Sequence, residues 1–424
     1  MNINLFLLLI FYMLFHPQAW AETEKARLFE ESMCLQVKFA QGQPLEDLQM
    51  VKALGVKWVR EEIAWSAIEQ RPGIYNPLPE SLKTRLAFYR KNNIGVIFIM
   101  AYENSVAYPN VKESPNHFVN EVAFGKYVAY MATQLRDSGV RFAIELWNEP
   151  HNSKFAKKEH FGGKWQGAPP SPWVDHYVKM VDEAVKRVKA IDPTIKMMTN
   201  DDMWIVHYHF LEKGLPQALD GFSVHPYTGG NPPELTAVKF DTDWTRPYQV
   251  VDQDQSFESA VRRLKEQGIK KMGKSPTIWV TEWGWGVGEN SAAGAVSESK
   301  IAEYLPRAFI LSANAGVESM CWFSAMDGPD GPMGLKTNSG RERLAYDALL
   351  KLSSTLGKTQ FVCELKQPDD KKNMRSFAFR KQKSAHTSSQ QEMIIASWNT
   401  SEAQNNGDVI YKPLVSDEST IQCK

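Results

Sequence analysis

The chain has 424 residues, about twice an average domain, with 43% hydrophobic and 23% charged residues, the balance of a folded globular protein. Lysine plus arginine equals aspartate plus glutamate at 49 each. No long run of like charge occurs either, so neither nucleic acid nor an acidic lipid surface finds a field to bind.

Leu5 to Phe15 is an unbroken apolar run, followed by His16, Pro17 and Ala19-Trp20-Ala21. The run is too short to span a bilayer and suits the core of a signal peptide with an Ala-x-Ala cleavage site. The start, Met1-Asn2-Ile3-Asn4, carries no lysine or arginine, which departs from the usual leader. The expectation is a signal peptide over 1–21, cleavage after Ala21 and a secreted or periplasmic protein with no stable membrane insertion afterwards. An uncleaved anchor is the competing reading.

From about residue 33 to 355 the sequence alternates short β-type runs with helical stretches. The strand candidates are Cys34–Ala40, Lys57–Ile63, Gly95–Ala101, Phe142–Trp147, Lys196–Thr199, Gly221–Val224, Thr277–Thr281 and Glu318–Phe323. Among the helical stretches between them, Trp173–Ile191 places Val174, Tyr177, Val178 and Val181 on one face, and Ser256–Gln267 carries Val261 and Leu264. Strands alternating with helices pair in parallel through crossovers, and eight such units in ~320 residues fit a closed (β/α)₈ barrel. A doubly wound open sheet would want a glycine-rich phosphate loop after its first strand. Lys38-Phe39-Ala40-Gln41-Gly42-Gln43-Pro44 is not one. The fold class expected is therefore α/β, a barrel over 22–355. After about Leu356, alternating runs at Ser376–Arg380 and Met393–Trp398, separated by polar loops, predict a small β-domain over 356–424 that covers barrel surface, with glycan binding as the alternative.

Cys363 and Cys423 bracket that tail, and an oxidising compartment would let them form a disulfide. Cys34 and Cys321 each lie inside an apolar run and read as buried thiols. His207 and His209 are two apart with no third ligand at useful spacing, so they read as a surface pair near a helix start. No metal and no cofactor are expected.

In such a barrel the chemistry sits just beyond the C-terminal ends of the strands. Two glutamates fall there: Glu149 after the fourth strand, in Trp147-Asn148-Glu149-Pro150, and Glu282 after the seventh, in Thr281-Glu282-Trp283-Gly284. Hydrolysing a glycosidic bond needs two carboxyls in different protonation states, one to protonate the departing oxygen and one to attack carbon or activate water. Arg60, ending the second strand, is a suitable cation for Glu282, with pairing to Glu62 as its alternative. Asn148 is placed to hydrogen-bond a sugar hydroxyl. The 13 tryptophans include Trp65, Trp147, Trp283, Trp285 and Trp322 near strand tips, where aromatic planes suit the C–H faces of sugars. Trp58 and Trp279 read as core by alternation. Glu103, Asn104, Asp201 and Asp202 stand near other strand tips, as sugar contacts or as loop and capping residues.

The two motifs at 147–150 and 281–284 make the chain resemble the large clan of retaining glycoside hydrolases with catalytic glutamates on strands four and seven. By that resemblance Glu149 is the acid/base and Glu282 the nucleophile, and Arg60 supports the nucleophile. His225 and Tyr227 in His-Pro-Tyr match a His-x-Tyr that contacts nucleophile and substrate, and Trp322 matches a tryptophan flooring a sugar subsite. Trp65 and Trp283 are further substrate-binding candidates. The stretch Arg60-Glu-Glu-Ile-Ala-Trp65, then Ile68-Glu69 and Gly73-Ile-Tyr75, is similar to β-xylosidase and α-iduronidase relatives and to bacterial exopolysaccharide glycosidases. The resemblance covers the barrel and not the tail. It implies a monomeric, secreted enzyme acting on β-linked polysaccharide, by preference inside a bacterial exopolysaccharide. The alternatives are an exo-acting or transglycosylating enzyme and a saccharide-binding barrel without catalysis.

Overall fold

A computed structural model of the chain describes residues 27–109, 119–152, 172–238, 245–288, 295–368, 371, 373–382, 391–401, 407–416 and 421–424. The expected leader at 1–21 and most of the segment between the fourth strand and the helix after it lie outside these residues.

The eight strands are β1 (Met33–Gln36), β2 (Trp58–Ala64), β3 (Gly95–Ala101), β4 (Phe142–Leu146), β5 (Lys196–Asp201), β6 (Gly221–Val224), β7 (Thr277–Trp283) and β8 (Met320–Trp322). Each pairs in parallel with its neighbours, and β1 pairs with both β2 and β8, so the sheet closes into a barrel. The helices that return the chain are α1 (Leu48–Ala53), α2 (Glu80–Lys91), α3 (Glu121–Asp137), α4 (Pro172–Ile191), α5 (Trp204–Lys213), α6 (Phe257–Met272), α7 (Glu298–Asn314) and α8 (Leu344–Leu356). The expected (β/α)₈ barrel is the observed one.

The helices start where the sequence supplies a cap. Asn120, Ser256 and Ser297 each accept a backbone N–H from the third residue on, at the starts of α3, α6 and α7. Such caps contribute about 1 kcal/mol each. On α4 the predicted face, Val174, Tyr177, Val178 and Val181, is buried.

Alternation along the strands sends one set of side chains inward. Cys34, Trp58, Ile97, Ala143, Met198, Trp279 and Cys321 form a closed layer inside the barrel, with Trp58 and Trp279 meeting edge to face at 5.3 Å. Cys34 and Cys321 are not thiols. They are joined by a disulfide, because the first and last strands of a closed barrel are neighbours and these two residues are register partners.

After α8 come β9 (Thr359–Glu364), β10 (Met374–Lys381), β11 (Gln391–Asn399) and β12 (Ile410–Ser416), one antiparallel sheet in sequential order. Cys363 and Cys423 are bonded. The sheet lies on the barrel's outer helices: Phe379 meets Phe29 edge on at 5.2 Å, Trp398 donates to Glu234 at 2.7 Å, and Arg375 pairs with Glu258 of α6. No helix among the described residues is long and apolar enough to cross a membrane.

Candidate active site

The C-terminal ends of the strands surround a cleft of about 360 Å³, onto which Arg60, Asn148, Glu149, Tyr227 and Glu282 open. Glu149 reaches it through an unusual backbone. Trp147 and Glu149 have φ of 72° and 44°, a left-handed region that costs a side-chain-bearing residue of order 1–3 kcal/mol. The turn is held by the Trp147 N–H on the Met100 carbonyl at 3.0 Å and the Glu149 N–H on Asn200 Oδ1 at 2.6 Å. Strain maintained in this way is a mark of a functional position.

Arg60 is 1% exposed and its guanidinium serves four acceptors. Nε donates to Glu145 at 2.5 Å, Nη1 to Gln36 at 2.9 Å and to Glu282 Oε1, and Nη2 to Asn148 Oδ1 at 2.7 Å. Glu62 is not its partner and accepts instead from Gln41. The other oxygen of Glu282 accepts from the Tyr227 hydroxyl at 2.8 Å. Glu149 faces His225 Nδ1 at 2.8 Å and accepts from Asn152 at 3.1 Å. The same His225 nitrogen is 3.7 Å from Glu282. Carboxylate oxygens of Glu149 and Glu282 and a ring nitrogen of His225 lie within 4.8 Å of one another.

These contacts set the charges. Burial works against a charged imidazole, yet Glu282, Glu145 and Glu149 outweigh it and raise His225 to about 10. Burial alone would raise Glu145, but Arg60 and His225 hold it down at about 2. Burial and the two site carboxylates push the Tyr227 phenol well above its usual range, so it remains a donor. Stability then has a defined pH dependence. The His225 contribution is complete below its unfolded value near 6.5 and fades as pH rises towards 10. The Glu145 contribution is complete above 4.5 and fades as pH falls towards 2. Calorimetry should show the Tm falling between pH 6.5 and 10 more steeply for the native chain than for His225→Asn; parallel curves would mean that His225 gains no charge on folding.

Three predicted aromatic contacts need correction. Trp65 is 1% exposed, stacks on Tyr127 at 5.3 Å and donates to Glu69. Trp283 and Trp322 are fully buried behind the strands, Trp283 against Phe257 of α6 at 4.6 Å and Trp322 against Trp285 at 5.9 Å. Alternation explains Trp322, since Cys321 faces inward; on β7, where Trp279 and Thr281 face inward, the register against β8 shifts before Trp283, so Glu282 also reaches the cleft and Trp283 turns to the helices. At the end of β8 it is Phe323, one residue past Trp322, that lines the cleft, beside Tyr227 and under Lys38 Nζ at 4.5 Å. Gly284 makes room for it, since a Cβ there would lie 2.2 Å from the Phe323 carbonyl oxygen.

His207 and His209 are likewise not a surface pair. Both are fully buried on α5, whose residues from Trp204 to Leu211 are all enclosed, and burial lowers His207 to about 3, which keeps it neutral. Asn104 turns inward and caps a loop through Val106 and Ala107. Asp201 binds His151 at 2.8 Å and the Met203 N–H, whereas Asp202 reaches the cleft. His151, Asp201 and Asp202 form a second group whose ligand atoms lie within 4.8 Å. Also lining the cleft, and absent from the sequence reading, are Gln36 at the end of β1 and, from loops, Lys38, Tyr102, Asn152, Asp330 and Met333. The sequence reading also missed Glu145, whose signal was a charge inside the apolar run Phe142–Leu146.

Solved structures show the same architecture. A family 39 glycoside hydrolase from the gut symbiont Bacteroides cellulosilyticus WH2 superposes with a TM-score of 0.67 at 19% identity over 92% of this chain and 80% of that one. A family 39 enzyme from Xanthomonas axonopodis pv. citri gives 0.58 at 14% identity over 89% and 73%. A family 39 β-xylosidase from Caulobacter crescentus gives 0.51 at 14% over 86% and 77%. No curated protein matches the sequence. Residues 24–325 match the model of the cellulases of glycosyl hydrolase family 5, and with that match over most of its length the chain belongs to this family and is a glycosidase.

Proposed function

We propose that the chain is an exported retaining glycoside hydrolase that cuts β-linked polysaccharide internally, with a bacterial exopolysaccharide as preferred substrate. The observation that supports the mechanism is the nearness of the two carboxyls, one oxygen of each lying within 4.8 Å of one of the other. Retaining enzymes hold them ~5–5.5 Å apart, while inverting enzymes need ~6.5–9.5 Å to fit a water. Their surroundings divide the labour. Glu282 accepts from Arg60 and Tyr227, donors suited to a nucleophile. Glu149, beside Asn152 and at the edge of the cleft, meets the departing oxygen.

In the first step the anomeric carbon gains a bond to Glu282 as its bond to the leaving oxygen breaks and Glu149 gives that oxygen a proton. In the second, Glu149 takes a proton from water, which displaces Glu282 with a second inversion. Asn148 offers its amide N–H₂ to a neighbouring sugar hydroxyl, because Arg60 already occupies its oxygen. Phe323 provides an apolar face for the ring.

Export is supported by the apolar leader and by two disulfides, which persist in oxidising compartments. Internal cleavage is supported by space on two sides of the carboxyls. A recess of about 460 Å³ lined by Trp204, Ile205, Pro226 and Val238 adjoins the cleft and shares Asp202 and Tyr227 with it. Proton NMR of early products from a panel of plant and bacterial polysaccharides tests the reading. Oligosaccharides released first as the β-anomer support it. First release of the α-anomer sinks retention, and monosaccharide as the sole early product shifts the reading to exo-action.

A further inference from the structure

Glu145 is a buried charge that no step above uses. It stands on β4 four residues before Glu149, is fully buried, and does not line the cleft. Four strands besides its own donate to it: Arg60 of β2 at 2.5 Å, Ser223 of β6 at 2.6 Å, Thr281 of β7 at 2.7 Å, and the Asn200 amide of β5. A carboxylate taken this far from water must be compensated, and here the compensation leads to both reacting groups. Arg60 continues to Glu282. The Thr281 hydroxyl that donates to Glu145 lies 3.1 Å from His225 Nε2, and the other nitrogen of that ring faces Glu149.

Charge counting shows what such an anion is for. The two-step reading starts with Glu282 as the anion and the proton on Glu149, beside the cations Arg60 and His225. Glu145 brings the sum to zero. When Glu149 gives up its proton and Glu282 becomes an ester, one negative charge moves from Glu282 to Glu149 and the sum is again zero. His225 Nδ1, at 2.8 Å from Glu149 and 3.7 Å from Glu282, can serve either carboxylate with little movement.

We propose that Glu145 is a positioning residue, a fixed counter-anion that lets Arg60 and His225 both remain cations while the negative charge passes between Glu282 and Glu149. The inference rests on the two-step reading for its purpose, but not for its measurement. Besides Glu145, the titratable and charged groups facing His225 are Glu149, Glu282, Arg60, Asp202, His207 and Tyr227. None of them is changed by the substitutions below.

The test is nitrogen-15 NMR of histidine-labelled full chain, with the His225 signal assigned by its loss in His225→Asn. In the native chain His225 is expected to be protonated at pH 7; a neutral ring there overturns the proposal without any Glu145 variant having to fold. In Glu145→Gln the ring should titrate about 1–3 pH units lower, the effect of removing one nearby opposite charge. In Glu145→Asp, which keeps the charge, it should stay near its native value. The alkaline limb of kcat/KM should move to lower pH in Glu145→Gln alone. An unmoved His225 in a folded Glu145→Gln, or an equal shift in Glu145→Asp, would show that only the shape of the side chain matters. Because the NMR readout needs no turnover, a failure of the two-step reading leaves it interpretable.

Discussion

Glu282→Gly is expected to lower kcat by about 10⁴-fold or more, and added azide to restore turnover with release of a glycosyl azide of inverted configuration. The loss follows from removing a covalent nucleophile that acts together with an acid/base group worth about 10²–10⁴-fold by itself. The rescue follows from geometry. Truncation opens a hole beneath the anomeric carbon, and Arg60 and Tyr227, which normally bind the carboxylate, remain to receive a small anion. Glu149→Ala separates the two roles. Substrates whose leaving group departs without a proton should still load the enzyme, and azide should then return a product of retained configuration, since it attacks the glycosyl ester on Glu282. The configuration of the two azides, read by proton NMR, is the decisive measurement. Retained product from Glu282→Gly would place the nucleophile elsewhere.

The second large effect is expected on stability. Arg60→Met should cost about 3–5 kcal/mol, the loss on breaking a buried ion pair by removing one partner. Methionine fills much of the volume, so a cavity is not the cause. Glu145 loses its only guanidinium partner among the described residues, and Gln36 and Asn148 lose a donor. Arg60→Lys retains charge but has no planar fork to serve four acceptors, so it should fall between the two. Denaturant unfolding at neutral pH measures both. A change below about 1 kcal/mol for Arg60→Met would mean that the cluster is solvated and not a buried hub.

Much of the fold was legible because a barrel strand buried on both faces is a short apolar run between helices of clear period. The positions of Asn148, Glu149, His225, Tyr227 and Glu282 were legible too, because each follows such a run; Arg60 lies inside β2 rather than at its end, and the structure brings all six together. Misreadings arose where the argument stopped one step short. Cys34 and Cys321 were assigned to the first and eighth strands, and closure makes those strands neighbours, so the disulfide followed from the predicted fold. Parity from Cys321 turns Trp322 outward and picks Phe323, whereas parity from Trp279 misplaces Trp283, because the register shift in β7 leaves no mark in the sequence. His207 and His209 were read by their polarity, although Trp204 to Leu211 has no exposed face. Lys38, Tyr102 and Asp330 come from loops, where no period exists to place a side chain, and only coordinates could find them.

The bond between Cys34 and Cys321, separated by 287 residues, turns the strands from first to last into a covalent hoop. A protease that cuts such a chain once, anywhere between the two cysteines, makes two fragments that remain one molecule, with every strand still tethered to its neighbours. A linear barrel nicked in the same way can shed a piece and lose its shape for good. Wherever a protease reaches the chain, the hoop changes one backbone cut from a death into a scar.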